Sequence, residues 1–218
     1  MHKLQRGPAP ACLGNYRHGR DQWSDMLPTP TEKTDEIWPA LEAMQGQRCA
    51  YCEDGISNGK RHIEHFRQRT SSRYPQGTFE WSNLFGSCDR LTSCGKHKDS
   101  CGTYNHQDLI KPDEEDPERF FLFVSDGTIQ VRCGLAPSDV HRASETLRIF
   151  NLADKHGPLR YMRKRAVVGY LQSADEIRQI AESYPMEDWL PFLQEELAST
   201  AHLPFATAIK HTLTPQGF

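Results

Sequence analysis

The sequence predicts an α+β fold in which a metal-stabilised segment lies between an irregular N-terminal arm and a helical C-terminal region. Five of the seven cysteines crowd between positions 49 and 101, where regular apolar periodicity is weak. A strand, an Asp-Gly turn and a second strand are predicted over 120–131, and apolar residues at helical spacing fill the last third. We therefore expect an arm and helix over 1–46, a metal-bound core over 47–110, and a hairpin with helices over 111–218.

Composition excludes several classes of protein. With 37% hydrophobic and 25% charged residues, the chain is typical of soluble globular proteins. No apolar run approaches the roughly 20 residues that cross a bilayer, so we expect a cytoplasmic protein without a membrane partner. The net charge of −3 argues against a uniformly basic nucleic-acid binder. A local basic face is still expected, because five basic residues between Lys60 and Arg73 are opposed only by Glu64.

The N-terminal arm is rich in proline and glycine up to about residue 31. A helix is expected to begin near Thr31 and to end at Gly46. Pro39 lies inside it and should divide it into two short pieces. Further helices are expected over 143–150, 159–171, 175–184 and 186–198, from the apolar spacing there.

The clustered cysteines have the spacing of metal ligands. Cys49 and Cys52 form a C-x2-C knuckle, which presents two thiolates to one tetrahedral ion. Cys88 and Cys94 form a looser second pair, and Cys101 competes for the last position. A structural Zn²⁺ would hold together a segment with too few apolar residues to do so alone. The alternative is a set of free thiols buried as small hydrophobes.

Residues with catalytic chemistry lie between and after these pairs. Glu64 could bind a hard divalent cation while His65, next to it, takes a proton from water. Asn83 could accept a hydrogen bond from one imidazole nitrogen and leave the other free to act as a base. His97 could complete the cation site with Glu64. Taken singly, each residue also has an ordinary structural interpretation.

The order of these motifs resembles that of the zinc-knuckle HNH endonucleases. More narrowly, the chain resembles the retron-associated HNH endonucleases, the PtuB-like component of Septu-type anti-phage defence systems. The resemblance runs from about Gly46 to Arg165. It is carried by Arg48-Cys-Ala-Tyr-Cys-Glu53, Ile63-Glu-His-Phe-Arg67, Trp81-Ser-Asn-Leu84, Ser87-Cys88, Pro112–Pro117 and Glu145-Thr-Leu-Arg-Ile-Phe-Asn-Leu152, with Arg160 and Arg163.

The resemblance implies a ββα-metal core, a structural zinc, and cleavage of a phosphodiester with Mg²⁺ or Mn²⁺ held by Glu64 and His97. It implies that His65 is the general base and that Asn83 orients it. The expected contacts to the nucleic-acid backbone are Arg67, Arg69, Arg73, Lys96 and Lys98. It also implies an ABC-like ATPase as partner and, in some systems, a reverse transcriptase with its multicopy DNA.

One position departs from the common HNH pattern. Gly95 follows Cys94 where a catalytic His or Asn is usual, so His97 is the expected substitute, with Asp99 and Asn105 as weaker candidates. The alternatives are a non-catalytic zinc-knuckle module that binds nucleic acid, and a scaffold subunit of the ATPase. DNA is the favoured substrate, but an RNA such as tRNA would need the same catalytic residues.

Overall fold

The computed structural model describes residues 1–26, 32–57, 59–70 and 72–215, which form a mixed α+β fold with two small antiparallel sheets. The predicted helix start at Thr31 lies outside these residues. A π-helical turn over Glu32–Ile37 leads into α1 (Trp38–Gln45), and Pro39 lies in the first turn of α1, where its missing N–H breaks no hydrogen bond. The segment thus has two helical pieces, but they meet between Ile37 and Trp38, and the backbone of Ile37 is itself helical, so Pro39 does not interrupt it. Gly46 ends α1 with a φ of 65°, as predicted.

The middle of the chain contains two paired strands and a helix. Strand β1 (Arg61–His65) pairs antiparallel with β2 (Leu84–Cys88), and α2 (Cys94–Ser100) follows. Strand β2 is buried along its whole length and contacts both α1 and α2. In this antiparallel pair the end of β2 lies beside the start of β1, and the end of β1 lies beside the start of β2. Helix α2 begins at Cys94 and extends toward the end of β1, where Lys98 donates to the backbone carbonyl of His65 at 3.0 Å.

The predicted Asp-Gly hairpin is confirmed. Strands β3 (Phe121–Phe123) and β4 (Ile129–Val131) pair antiparallel. Gly127 turns the chain with a φ of 87°, and a side chain there would collide with the backbone carbonyl of Arg160. Glycine is therefore required at this position for both conformation and space.

The C-terminal region is helical, as predicted. Its helices are α3 (Pro137–Ile149), α4 (Pro158–Val167), α5 (Leu171–Ser183), α6 (Met186–Thr200) and α7 (Ala206–Leu213). The last of these was not predicted, although it contacts α4, α5, α6 and β3 and buries Ile209 and Leu213. Within the described ranges, no helix combines the length and the apolar character that a bilayer crossing requires.

A buried carboxylate connects the cysteine knuckle to α7. Glu53, which is 1% exposed, forms an ion pair with the α-amino group of Met1 and accepts a hydrogen bond from the backbone N–H of Thr207 at 3.0 Å. Burial opposes its charge, but the amino group of Met1 holds the pKa of Glu53 well below its usual value. The knuckle is therefore joined to Met1 by an ion pair and to α7 by a hydrogen bond.

Candidate metal centre and adjoining polar site

Four cysteines meet in the interior of the protein. The sulfur atoms of Cys49, Cys52, Cys88 and Cys94 all lie within 4.8 Å of one another, and all four residues are buried. The sulfurs of Cys52 and Cys88 are 4.0 Å apart, far beyond the length of a disulfide bond. Four thiolates at about 2.3 Å from one tetrahedral ion would be about 3.8 Å apart. The donors and their spacing therefore fit a metal such as zinc, as predicted.

Local backbone geometry presents these sulfurs to one point. The knuckle after Cys49 is closed by hydrogen bonds from Glu53 N to Cys49 O at 3.0 Å and from Cys49 N to Asp54 O at 2.8 Å. Glu53 has a φ of 65°, which reverses the chain just after the second ligand. Cys94 also has a positive φ, and its N–H donates to the carbonyl of Phe150 at 2.8 Å.

The competing candidate, Cys101, lies outside the cluster. Its sulfur is 3.4 Å from Nδ1 of His97 and is only partly buried. Since Cys94 groups with the other three sulfurs, the fourth position belongs to Cys94. The sequence alone did not decide between these two cysteines.

Glu64 lies on the face of β1 that meets α2. It is 2% exposed, and its Oε1 is 2.7 Å from the ammonium group of Lys98, which is fully buried. The two charges are in contact, but Oε1 and Nζ are not aligned as a hydrogen bond. Burial alone would lower the pKa of Lys98, but the negative charges beside it, that of Glu64 above all, raise it.

Two expectations about α2 are wrong in this arrangement. His97 does not face Glu64, because its Nδ1 is 2.9 Å from the carbonyl of Ile149 at the end of α3. It lies about 100° around the helix from Lys98, which does face Glu64. Lys98 in turn is not available to a phosphate, since its side chain is fully buried against Glu64. Asp99 is exposed and paired with Lys98.

His65 is the last residue of β1 and faces away from α2. Its Nε2 is 3.0 Å from the carbonyl oxygen of Thr78. A carbonyl can only accept, so Nε2 carries the proton and the lone pair of the neutral ring is on Nδ1. This is the tautomer that a base at Nδ1 requires, and Thr78 provides the orientation that was expected from Asn83.

The amide of Asn83 holds the loop around His65 instead of the imidazole. Its Oδ1 accepts from the N–H of Arg67 at 2.8 Å, and its Nδ2 donates to the carbonyls of Arg67 and Gly77, both at 3.0 Å. In the described part of the chain, no hydrogen bond joins Asn83 to the ring of His65. Because Gly77 precedes Thr78, Asn83 positions His65 indirectly, through the loop that carries its carbonyl partner.

The N-terminal arm covers His65. The indole of Trp23 contacts the imidazole edge-on, with ring centroids 4.7 Å apart, and His65 is 7% exposed. Burial lowers the pKa of His65 to about 4, and the positive charges of Arg69 and Lys98 act in the same direction. His65 is therefore neutral at physiological pH, as a general base must be.

The remaining predicted phosphate contacts are near the surface. Arg69 and Arg73 are exposed, and Arg73 donates to the hydroxyl of Thr103 at 3.1 Å. Arg67 is half-buried over the ring of Tyr74. Lys96 is partly exposed, with Asp89 at 3.9 Å. These four cations could meet a polyanion, whereas Lys98 could not.

Three residues near the site were missed by the sequence analysis. His62 lies two positions before Glu64 on the same face of β1, with Nε2 3.2 Å from Oε2 of Glu64. Thr78 and Trp23 contact His65. The signal for His62 was present, because residues two apart in a predicted strand share a face. The other two carried none, since a backbone carbonyl and an arm residue are brought to His65 only by the tertiary fold.

No protein-family model matches the chain, and no curated protein matches its sequence. Among the expected ligand sets, the structure brings the four cysteines together in a cluster that could hold a metal. Any activity has to be inferred from the chemistry of Glu64, His65 and the groups around them.

Proposed function

We propose that this protein is a metal-dependent, HNH-type phosphodiester endonuclease. The observation that carries the proposal is the pairing of two consecutive residues at the end of β1. Glu64 is a buried carboxylate, and His65 is a neutral imidazole whose Nε2 is tied to the carbonyl of Thr78. A cation ligand and an oriented base are the two groups that hydrolysis of a phosphodiester needs from a protein.

The two side chains leave opposite faces of β1, so a scissile phosphate reaches both only at the end of the strand. There Nδ1 of His65 would take a proton from the attacking water, and Glu64 would hold a divalent cation. A bound Mg²⁺ or Mn²⁺ would stabilise negative charge on the phosphate and on the leaving oxygen. Arg69 and Arg73, both exposed, would bind the flanking backbone by charge, without reading its sequence.

Cleavage by the zinc-loaded full chain tests the proposal. Labelled single- and double-stranded DNA and tRNA would be incubated with Mg²⁺ or Mn²⁺, with the neighbouring operon products present. His65→Ala should lower the rate by about 10²–10⁴-fold, because general base catalysis is lost. The matched control is His141→Ala, which removes a histidine that is 60% exposed. Equal rates for wild type and His65→Ala would contradict the proposal.

We propose an effector of anti-phage defence that acts with an ABC-like ATPase, and in a retron with a reverse transcriptase and its multicopy DNA. The support is three exposed apolar side chains close together in sequence, Tyr184 just after α5 and Met186 and Phe192 in α6, which are 60%, 51% and 62% exposed. Co-expression with the ATPase and phage challenge of wild type against His65→Ala tests it. Loss of protection only in the variant is the expected result.

A second candidate function is a non-catalytic zinc module that binds nucleic acid or serves as a scaffold for the ATPase. Two observations favour it: Trp23 covers His65, and a buried ammonium group lies against Glu64. This candidate predicts binding that depends on Arg69 and Arg73 but no cleavage of DNA or RNA by the assembled complex. The same incubation therefore separates the two functions.

A further inference from the structure

The candidate cation site contains an imidazole that comes from the strand. His62 and Glu64 point to the same face of β1, and their facing atoms, Nε2 and Oε2, are 3.2 Å apart. Both meet α2 at Gly95, where an added methyl group would overlap the carboxylate of Glu64 and lie 2.9 Å from Nε2 of His62. The space that a helix side chain would fill is thus taken by Glu64 and His62 together.

We propose that His62 and Glu64 together bind the divalent cation, and that Gly95 is small because the second ligand comes from β1 instead of from α2. This inference rests on the proposed nuclease function and names the ligand that His97 does not provide. Mg²⁺ and Mn²⁺ also take water and substrate oxygens, so two protein ligands on one side are sufficient.

The distance between the two ligand atoms fits a shared cation. Two neighbouring ligands at about 2.1 Å in an octahedral site are about 3.0 Å apart. The observed 3.2 Å is close to that span, and it is also at the long end of an ordinary N–H···O hydrogen bond.

The surrounding charges leave the facing atoms free for this role. Lys98 approaches Oε1 of Glu64, so Oε2 remains directed at His62. Oδ1 of Asp89 is 3.0 Å from Nδ1 of His62. The two atoms are not aligned as a hydrogen bond, but a carboxylate this close would let Nδ1 carry the proton when Nε2 binds a cation, which is the usual environment of a metal-bound histidine.

Two buried polar atoms at this place have no hydrogen bond in the described chain. They are Nδ1 of His62, which is not aligned with Asp89, and Oε1 of Glu64. Buried polar atoms in native proteins nearly always have partners, and exceptions need an explanation. Each atom lies beside an ion-pair partner, Oε1 at 2.7 Å from Nζ of Lys98 and Nδ1 at 3.0 Å from Oδ1 of Asp89. Reorientation of both side chains around a cation on Oε2 and Nε2 would allow these contacts to align. His62 is 19% exposed and Asp89 42%, so this side of the site is open to substrate.

Binding of Mn²⁺ to the zinc-loaded full chain tests the inference without measuring cleavage. Mn²⁺ is a hard cation and leaves the thiolate site to zinc. Isothermal titration should give one Mn²⁺ per chain, and electron spin echo spectroscopy of that Mn²⁺ should show the ¹⁴N coupling of an imidazole. His62→Ala should weaken binding at least about tenfold and remove the ¹⁴N signal. His62→Asp should restore binding without it, and the control His97→Ala should keep both.

The outcomes separate this inference from the nuclease proposal. A wild type that binds Mn²⁺ through His62 but cuts nothing would support the cation site and contradict the nuclease. If the wild type cuts nucleic acid but the ¹⁴N signal survives in His62→Ala, the nuclease proposal is supported and the assignment of His62 as a ligand is overturned. Loss of the signal in His97→Ala, or no Mn²⁺ binding by the wild type, would also overturn it.

Discussion

Two parts of the molecule bury very different side chains. Among the described residues between positions 49 and 101, eight polar or charged side chains are buried, including Glu53, Glu64, His65 and Lys98. Over the longer stretch 137–213 only four are buried, of which one, Arg163, is charged. Burying polar groups opposes folding unless partners satisfy them. Both parts bury apolar side chains, but the first also depends on paired charges and on a cluster of four cysteines that could hold a metal, whereas the second depends mainly on apolar packing.

The buried residues of the two parts therefore contribute different things to the protein. The C-terminal helices bury residues such as Leu159, Trp189, Leu193 and Ile209, whose contribution is proportional to apolar area and needs no ligand. Residues 49–101 also enclose the charged groups on which the proposed binding and catalysis would depend. A metal held by four thiolates would fix the positions of this segment in addition to its apolar packing.

The largest expected effect is the loss of the cysteine centre. Cys94→Ser removes one of four ligands, and zinc binding in small domains contributes roughly 10–16 kcal/mol to folding. We expect the variant to lose zinc and the folded structure of residues 49–101. Zinc content by atomic absorption and limited proteolysis measure this.

The matched control is Cys101→Ser, because the sulfur of Cys101 lies outside the cluster. It should keep one zinc per chain and the wild-type proteolysis pattern. If Cys101→Ser lost the zinc and Cys94→Ser kept it, the assignment of the fourth ligand would be wrong. If Cys94→Ser were cut only in the C-terminal helices, the cysteine cluster would stabilise those helices and not residues 49–101.

A smaller effect is expected at the buried ion pair. Lys98→Met leaves the carboxylate of Glu64 buried without its cation, which typically costs about 3–5 kcal/mol. The control Lys96→Met removes an ammonium that is 40% exposed and 3.9 Å from Asp89, which should cost about 1 kcal/mol or less. Urea unfolding measures both. Mn²⁺ bound at Glu64 would stabilise every variant that keeps the site. Because the cation also replaces the missing charge in Lys98→Met, it should stabilise Lys98→Met more than it stabilises Lys96→Met.

The comparison also explains which features could be predicted from sequence. The spacing of Cys49 and Cys52 indicates a metal because two thiolates two residues apart reach one ion in almost any fold. The Asp-Gly turn before β4 is likewise determined by neighbouring residues alone. The partners of Glu64 and His65 are not local: Lys98, Thr78 and Trp23 reach them only through tertiary packing. The prediction for His97 was wrong because the rotation of α2 is set by Cys94, which is bound at its start.

In the C-terminal part, stability should depend on pH through Glu118. Burial alone would raise the pKa of Glu118, but hydrogen bonds from His211 and Lys210 of α7 lower it to about 2. A carboxyl with a depressed folded pKa stabilises the protein above its unfolded pKa of 4.5, and this contribution, about 3 kcal/mol, is lost as pH falls toward 2.

Glu118→Gln should therefore be less stable than wild type at pH 7, and the difference should disappear between pH 4.5 and pH 2. Thermal unfolding across this range measures it. Zinc is released from both proteins in acid, so their difference isolates Glu118. Glu145→Gln, a substitution in the surface pair with Arg148, is the control and should change stability little. A difference between Glu118→Gln and wild type that stayed constant down to pH 2 would exclude the ion pair as its cause.

The smallest effect on stability, and the most informative about the site, is expected from Trp23→Ala. The arm residue contacts His65 but contributes neither to the cysteine centre nor to the C-terminal core. Removing its ring lets water reach the imidazole and stabilises the charged form, so the pKa of His65 should rise from about 4 toward 6.5. The zinc content should not change. An NMR titration of the His65 ring, with Trp189→Ala as a control for a tryptophan far along the chain, measures the shift. A pKa that stayed near 4 would mean that Thr78 and the charges of Arg69 and Lys98, rather than the arm, keep this base neutral.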